Sequence, residues 1–260
     1  MNRLTTFSAM KHHIRNTQVA DTLGMEKWEE SDLRHQGLEY RLLGPVGYEK
    51  NYAYPLVIWL HGPGDDERQV VNIMRHVSLQ NYVSVAPRGP RVEASGCTYT
   101  WSQDDFSVSR ARQHVHECVA IASERYHLHH DRIFIAGLQT GGTMALRLAL
   151  AEPECFAGAI SIGGAFPLGC NALLRYQAAQ SLPLLTMRGL ESETYTESDF
   201  CEELRIFHAA HLRVHCRHYL AGDELTVPML KDMNSWLMEF VTGDSILDAQ
   251  DSPTNYHNGS

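Results

Sequence analysis

Two short runs hold the residue types that chemistry would need. The first is Gly137-Leu138-Gln139-Thr140-Gly141-Gly142. A strand, a sharp glycine-lined turn and a helix, in that order, lift the middle side chain above the end of a sheet, and the pattern G-x-S-x-G mounts a nucleophilic serine in this way. Here the middle position is Gln139, whose carboxamide no base can convert into an alkoxide-like nucleophile. The second run is His61-Gly62-Pro63-Gly64-Asp65-Asp66, directly after an apolar strand. His61, after a core strand, has the type of a catalytic base.

Other residues of reactive type are expected to do less. His208, His211, His215 and His218 are spaced by three, four and three, as metal ligands on one helical face would be. A strand over 213–219 interrupts that helix and sends His215 and His218 to opposite faces, so no metal and no cofactor is expected. His127, His129 and His130 read as surface residues, and Asp65, Asp66, Asp104 and Asp105 as solvated loop acids. Tyr99 and Trp101 lie on a long loop that should pass near a pocket mouth.

The elements that must position these residues follow from pattern. Ile133–Ala136 is a short apolar run suited to a strand buried on both faces, with a helix from Thr143 onward. Leu56–Leu60, Val83–Ala86, Phe156–Ile162 and Leu182–Met187 read as further buried strands. Leu38–Leu43 reads as a first strand and Arg213–Tyr219 as an alternating one. Apolar positions at Ala111, Val115, Cys118, Ala122 and Tyr126 alternate spacings of three and four, the mark of one buried helix face. Helices are also expected over 67–77, 197–210 and 227–241. Strands alternating with helices imply a single α/β domain with a predominantly parallel sheet and helices on both faces. That domain should span 37–242, after an arm or surface helix at 1–36 and before a polar tail at 243–260.

Composition narrows the function classes. The chain has 260 residues and a formal charge of -9, with 43% hydrophobic and 20% charged residues. A net negative charge argues against nucleic acid as a main partner. No apolar run is long enough to span a membrane. Fifteen histidines make net charge and solubility sensitive to mildly acidic pH. Six scattered cysteines with no C-x-x-C pair fit reduced thiols and a cytoplasmic location.

Taken in order, these pieces resemble the phospholipase/carboxylesterase family of α/β-hydrolases, which includes acyl-protein thioesterases and small bacterial carboxylesterases. The resemblance covers about residues 38–241. It rests on His61-Gly62-x-Gly64-Asp65, on Gly137-x-x-x-Gly141-Gly142 with Met144-Ala145-Leu146, on Phe156-Ala157-Gly158-Ala159, on Tyr219-Leu220-Ala221-Gly222 and on Trp236-Leu237. It implies a Ser-His-Asp triad, and none of the three positions matches. The nucleophile falls on Gln139. The acid of H-G-x-x-D aligns with Arg188-Gly189-Leu190-Glu191-Ser192, which places Ser192 in its slot. The histidine after Y-x-G-G aligns with Asp223, a poor proton shuttle at neutral pH. The implied oxyanion hole uses the backbone N–H of Thr140 and of the residue after His-Gly; the latter is Pro63, which has none. The resemblance also implies that His61 is structural, packing and hydrogen-bonding behind that loop.

The resulting expectation is a catalytically silent relative that binds a small ligand or a protein partner through the former pocket. His61, Trp101, Gln139, Arg188, Glu191, Asp223 and Glu224 are the expected lining, with Arg188 offsetting a carboxylate of Glu191, Glu193, Asp223 or Glu224. Two alternatives stand beside it: a carboxylic-ester hydrolase using water activated by Asp223 or Glu224, and a scaffold whose pocket is incidental.

Overall fold

Tyr54–Leu60 (β3) is apolar from end to end and buried at every residue, as a strand in the middle of a covered sheet must be. Around it, the computed structural model describes residues 30–35, 38–92, 98–167 and 176–243. The other strands of its sheet are Glu30–His35 (β1), Leu38–Leu43 (β2), Val83–Pro87 (β4), Leu128–Leu138 (β7), Gly158–Ile162 (β8), Leu184–Gly189 (β9) and Val214–Tyr219 (β10). Among the described residues they form one eight-stranded sheet in the order β1-β2-β4-β3-β7-β8-β9-β10. The block from β4 to β10 is parallel, whereas β2 pairs antiparallel with β4 and β1 pairs antiparallel with β2. Arg91–Val92 (β5) and Thr98–Tyr99 (β6) pair separately.

Helices cover both faces. Gln69–Val77 (α1) and Val227–Thr242 (α6) pack on one side with Trp59, Phe134 and Trp236. Asp105–Arg125 (α2), Thr140–Ala151 (α3) and Glu197–Ala209 (α5) pack on the other. A single turn, Tyr176–Ala179 (α4), precedes β9. Their ends follow local rules. Asp104 accepts from the Ser107 N–H at the start of α2, and Thr196 with Asp199 forms a capping box on α5. Pro228 sits in the first turn of α6, which ends on the left-handed Gly243.

Four expectations change. Residues 30–35 of the supposed arm pair with β2 as an edge strand. The loop over 88–105 contains the β5–β6 pair. The elbow strand begins at Leu128, five residues before its apolar run, because Leu128 pairs with Tyr54 ahead of a register shift. Helix α3 starts at Thr140. Residues 1–29 and the tail beyond 243 lie outside the described residues.

All the parallel strands deliver their C-terminal ends to one edge, where α/β sheets receive ligands. One of the tight approaches at that edge involves Gly141. A Cβ there would lie 2.3 Å from the Leu60 carbonyl oxygen and 2.5 Å from that of His61. Gly141→Ala should therefore push α3 away from β3, with an overpacking cost of about 1–3 kcal/mol. Urea unfolding checks this: the midpoint should fall with an unchanged m-value.

Candidate functional site

The elbow is present in full. Gln139 has φ 49° and ψ -115°, a conformation that non-glycine residues rarely hold and that clusters at functional turns. Its N–H donates to the Ile162 carbonyl at 2.7 Å, and its carbonyl accepts from the Thr143 N–H at 2.9 Å. Glycines allow the approach: a Cβ on Gly137 would meet Gly141 at 2.4 Å, and one on Gly164 would meet the Gln139 carbonyl at 2.2 Å. The Gln139 side chain crosses to the loop after β10, donating from Nε2 to the Asp223 carbonyl at 3.0 Å. The Thr140 N–H, at the open end of α3, has no acceptor among the described residues.

The loop after β3 is braced from beneath. His61 is fully buried and Gly89 N–H donates to its Nε2 at 2.9 Å, so Nδ1 carries the proton and donates to the Gly62 carbonyl at 2.8 Å. Burial holds the imidazole below the ordinary histidine range, and the bond to Gly62 only partly opposes that. Trp101, 2% exposed, donates from Nε1 to the His61 carbonyl at 3.0 Å. Both residues therefore belong to the support of the loop and not to a pocket wall, which corrects the lining expectation for His61 and Trp101 alike. Gln69, which sequence reasoning passed over, accepts from Trp59 Nε1 and Gly62 N–H and donates to Asp65. Pro63 is exposed. Gly64, at φ 83°, donates its N–H to the Tyr99 carbonyl at 2.8 Å, so that N–H is already engaged.

The loops after β9 and β10 are tied together. Leu190 N–H donates to Tyr219 and Glu191 N–H to Ala221, while Gly189 and Gly222 touch too closely for a side chain at Gly189. Ser192 Oγ donates to Asp223 Oδ1 at 2.5 Å, Thr194 Oγ1 to the same oxygen at 2.6 Å, and Glu193 N–H to Oδ2 at 3.3 Å. These bonds, led by Ser192, hold the carboxyl below the ordinary aspartate range. Thr194 gave no signal in sequence, since a hydroxyl in an irregular loop has no period to mark it. Glu224 turns back to accept from Gly222 N–H at 3.1 Å, and Glu191 is exposed.

Arg188 does not join this rim. It is buried at the end of β9, with its guanidinium over Tyr195 at 5.8 Å and Phe200 at 5.7 Å, and it forms no ion pair with Glu191, Glu193, Asp223 or Glu224. The expected pairing fails because alternation along β9 turns Arg188 toward α5 while the acids lie in the loop beyond. The remaining candidates are structural. His215 accepts from Trp236 Nε1 at 3.1 Å, whereas His218 packs edge-on against Phe200 at 4.7 Å. Asp66 pairs with Arg68, Asp104 caps α2 and Asp105 faces Arg147. Among the described residues no group of three or more ligating side chains could hold a metal ion, and no helix is long and apolar enough to cross a membrane.

Because Asp223 titrates below its unfolded value, its loop contacts contribute stability above the ordinary aspartate range and lose it as pH falls through the folded value. Removing the first donor should move that titration up. Ser192→Ala is expected to raise the Asp223 carboxyl pKa, followed by carbon-13 NMR, and to speed hydrogen exchange at the Glu193 and Thr194 amides.

The comparisons agree with this fold. A family model described as Phospholipase/Carboxylesterase matches residues 46–238. A carboxylesterase crystal structure from Mesorhizobium loti superposes with a TM-score of 0.65 at 20% identity, covering 80% of this chain and 98% of that one. Acyl-protein thioesterase 2 of Zea mays gives 0.60 at 18% identity, covering 76% and 97%. At such identities these structures speak for the α/β-hydrolase fold alone. NocK of Nocardia uniformis subsp. tsuyamanensis, whose name describes an esterase, is 31% identical over 123 residues, which is 44% of this chain and 33% of that protein. The present chain thus spans about a third of that relative's length. With the family model running from the turn after β2 into α6, the chain belongs to the Phospholipase/Carboxylesterase family of α/β-hydrolases.

Proposed function

We propose that this protein is a catalytically silent member of its family that binds a small ligand or a protein partner at the former active-site edge. The observation that carries the reading is Gln139 itself. It stands at the strained elbow, and its amide reaches from the nucleophile slot to the Asp223 carbonyl in the histidine slot. A carboxamide there can donate and accept hydrogen bonds but cannot attack a carbonyl carbon.

The neighbouring slots support it. Between the acid and histidine positions a hydrogen bond remains with its direction reversed, because Ser192 now donates and Asp223 accepts. Such a pair fixes two loops but draws no proton from a nucleophile. Pro63 offers no N–H to a developing oxyanion, and Gly64 has given its own to Tyr99. What remains suits recognition: the Thr140 N–H at a helix N-terminus, the Gln139 carboxamide oxygen and the exposed acids Glu191 and Glu224. The hydrolytic alternative, water activated by Asp223 or Glu224, is disfavoured because three groups of the 192–194 loop hold the Asp223 carboxylate ionised and weakly basic. Glu224 is drawn back onto Gly222.

A fluorophosphonate probe should leave the protein unlabelled, and short-chain activated esters should turn over no faster than in buffer. Labelling or turnover that disappears in Gln139→Ala would refute the silent reading. Repair makes a sharper comparison. Gln139→Ser, Ser192→Asp and Asp223→His rebuild the triad by type, yet the triple variant should remain a poor esterase. Adding Pro63→Leu should raise kcat by roughly a hundredfold to a thousandfold, the usual effect of one oxyanion donor. Equal kcat in the triple and quadruple variants, both folded, would mean that Pro63 does not stand at the oxyanion position.

A further inference from the structure

Arg188 is 3% exposed, and its Nε is fully sequestered without an acceptor. An arginine buried to this degree is almost always paired, and an orphaned buried donor calls for an explanation such as a bound ion. The same molecule shows what pairing looks like: Arg88, just past β4, is held by both Glu67 and Glu39. Arg188 has no such partner among the described residues. Of the acids of α5, Glu197 acts on His218, and Asp199, which feels the Arg188 charge, and Glu203 have their hydrogen bonds elsewhere. Asp199 closes the capping box with Thr196 at 2.7 and 3.0 Å, and Glu203 accepts from Phe166 N–H at 2.7 Å and Tyr195 Oη at 2.5 Å. The rings of Tyr195 and Phe200 offset part of the desolvation by cation–π attraction, but a ring face gives the Nε–H no carboxylate-like acceptor.

We propose that Arg188 is the anchor of an anion-binding site for the carboxylate or phosphate group of a small ligand. The site lies between Tyr195, Phe200 and His218, beneath the loop joined by Ser192 and Asp223. A planar guanidinium matches the two oxygens of either group, and aromatic flanks exclude water from the pair. His218 stands beside Arg188 in the parallel register of β9 and β10 and packs on Phe200. Burial first, and the Arg188 charge second, hold its imidazole below the ordinary range; a bound anion would reverse the second effect. Leu138, Ile162 and Met187 are in register across β7, β8 and β9. Arg188 is therefore two strand spacings, about 10 Å, from the elbow. The site stands whether or not the elbow is silent.

Inorganic phosphate and acetate, each at matched ionic strength with chloride as control, are the probes. The expected result is a saturable shift of the Arg188 Nε–Hε resonance with at least one of them, together with a rise in the His218 pKa. Arg188→Met should weaken that binding by roughly ten- to hundredfold, and Arg188→Lys should recover only part of it. A larger response to phosphate than to acetate would identify a phosphate ligand, and the reverse a carboxylate. No saturable shift up to tens of millimolar, or equal binding by Arg188→Met, would overturn the proposal. If the methionine variant fails to fold, the wild-type resonance decides alone. Ester turnover or probe labelling would refute catalytic silence without touching this result.

Discussion

The contact between Gly141 and the carbonyls of Leu60 and His61 governs the geometry of the whole C-terminal edge. With no Cβ in the way, the first turn of α3 rests on the end of β3, and the sharp turn at Gln139 becomes the only route from β7 into the helix. Everything nearby is then placed by short bonds from this fixed point. Thr100 Oγ1 meets Thr140 Oγ1 at 3.1 Å, and Gln103 reaches the Thr140 carbonyl at 3.4 Å. Gly164 packs beneath the elbow, and Ser161 Oγ donates to the Gly164 carbonyl at 2.8 Å. The elbow is thus a joint between four strand ends, and its geometry does not depend on what the central side chain can do.

This explains which parts of the chain were legible in sequence. Strands such as Leu56–Leu60 and Ile133–Ala136 are buried on both faces, so their apolar runs announce them, and the glycines mark the elbow because backbone contact demands them. The edge strand at 30–35 lacks such a run, since an edge is covered less than a centre. The pairs Arg91–Val92 and Thr98–Tyr99 are too short to show a period. For the site, slot positions could be carried along the chain, but side-chain direction could not. Trp101 and Arg188 both stood close to the edge in sequence, and both turned inward. Trp101 did so because His61 needed a donor over its carbonyl, and Arg188 because it falls on the α5 side of β9.

The loops after β9 and β10 meet through polar bonds. Ser192 donates to Asp223 across the gap between them. Thr194 and the Glu193 N–H add to it, so one carboxylate gathers the loop through several donors at once. On the silent reading, the former catalytic contact serves as a clasp. It orders the rim that a ligand would meet and costs less desolvation than a buried ion pair, because Asp223 is only half-buried.

The residue at the elbow can be weighed by magnitude. A non-glycine residue held at φ 49° and ψ -115° carries strain of about 1–3 kcal/mol. Its amide bond to the Asp223 carbonyl returns about 0.5–1.5 kcal/mol. Glycine would relieve the strain at an entropic cost of about 0.5–1 kcal/mol, so the two residues come out nearly level for stability. Packing therefore gives no reason for glutamine at this position. What glycine could not supply is the bridge itself, which couples the elbow to the loop carrying Asp223, and through Ser192 to the loop beneath which Arg188 lies. Glutamine at the summit of the turn makes physical sense as a polar contact that links the loops of this edge, and stability alone does not account for it.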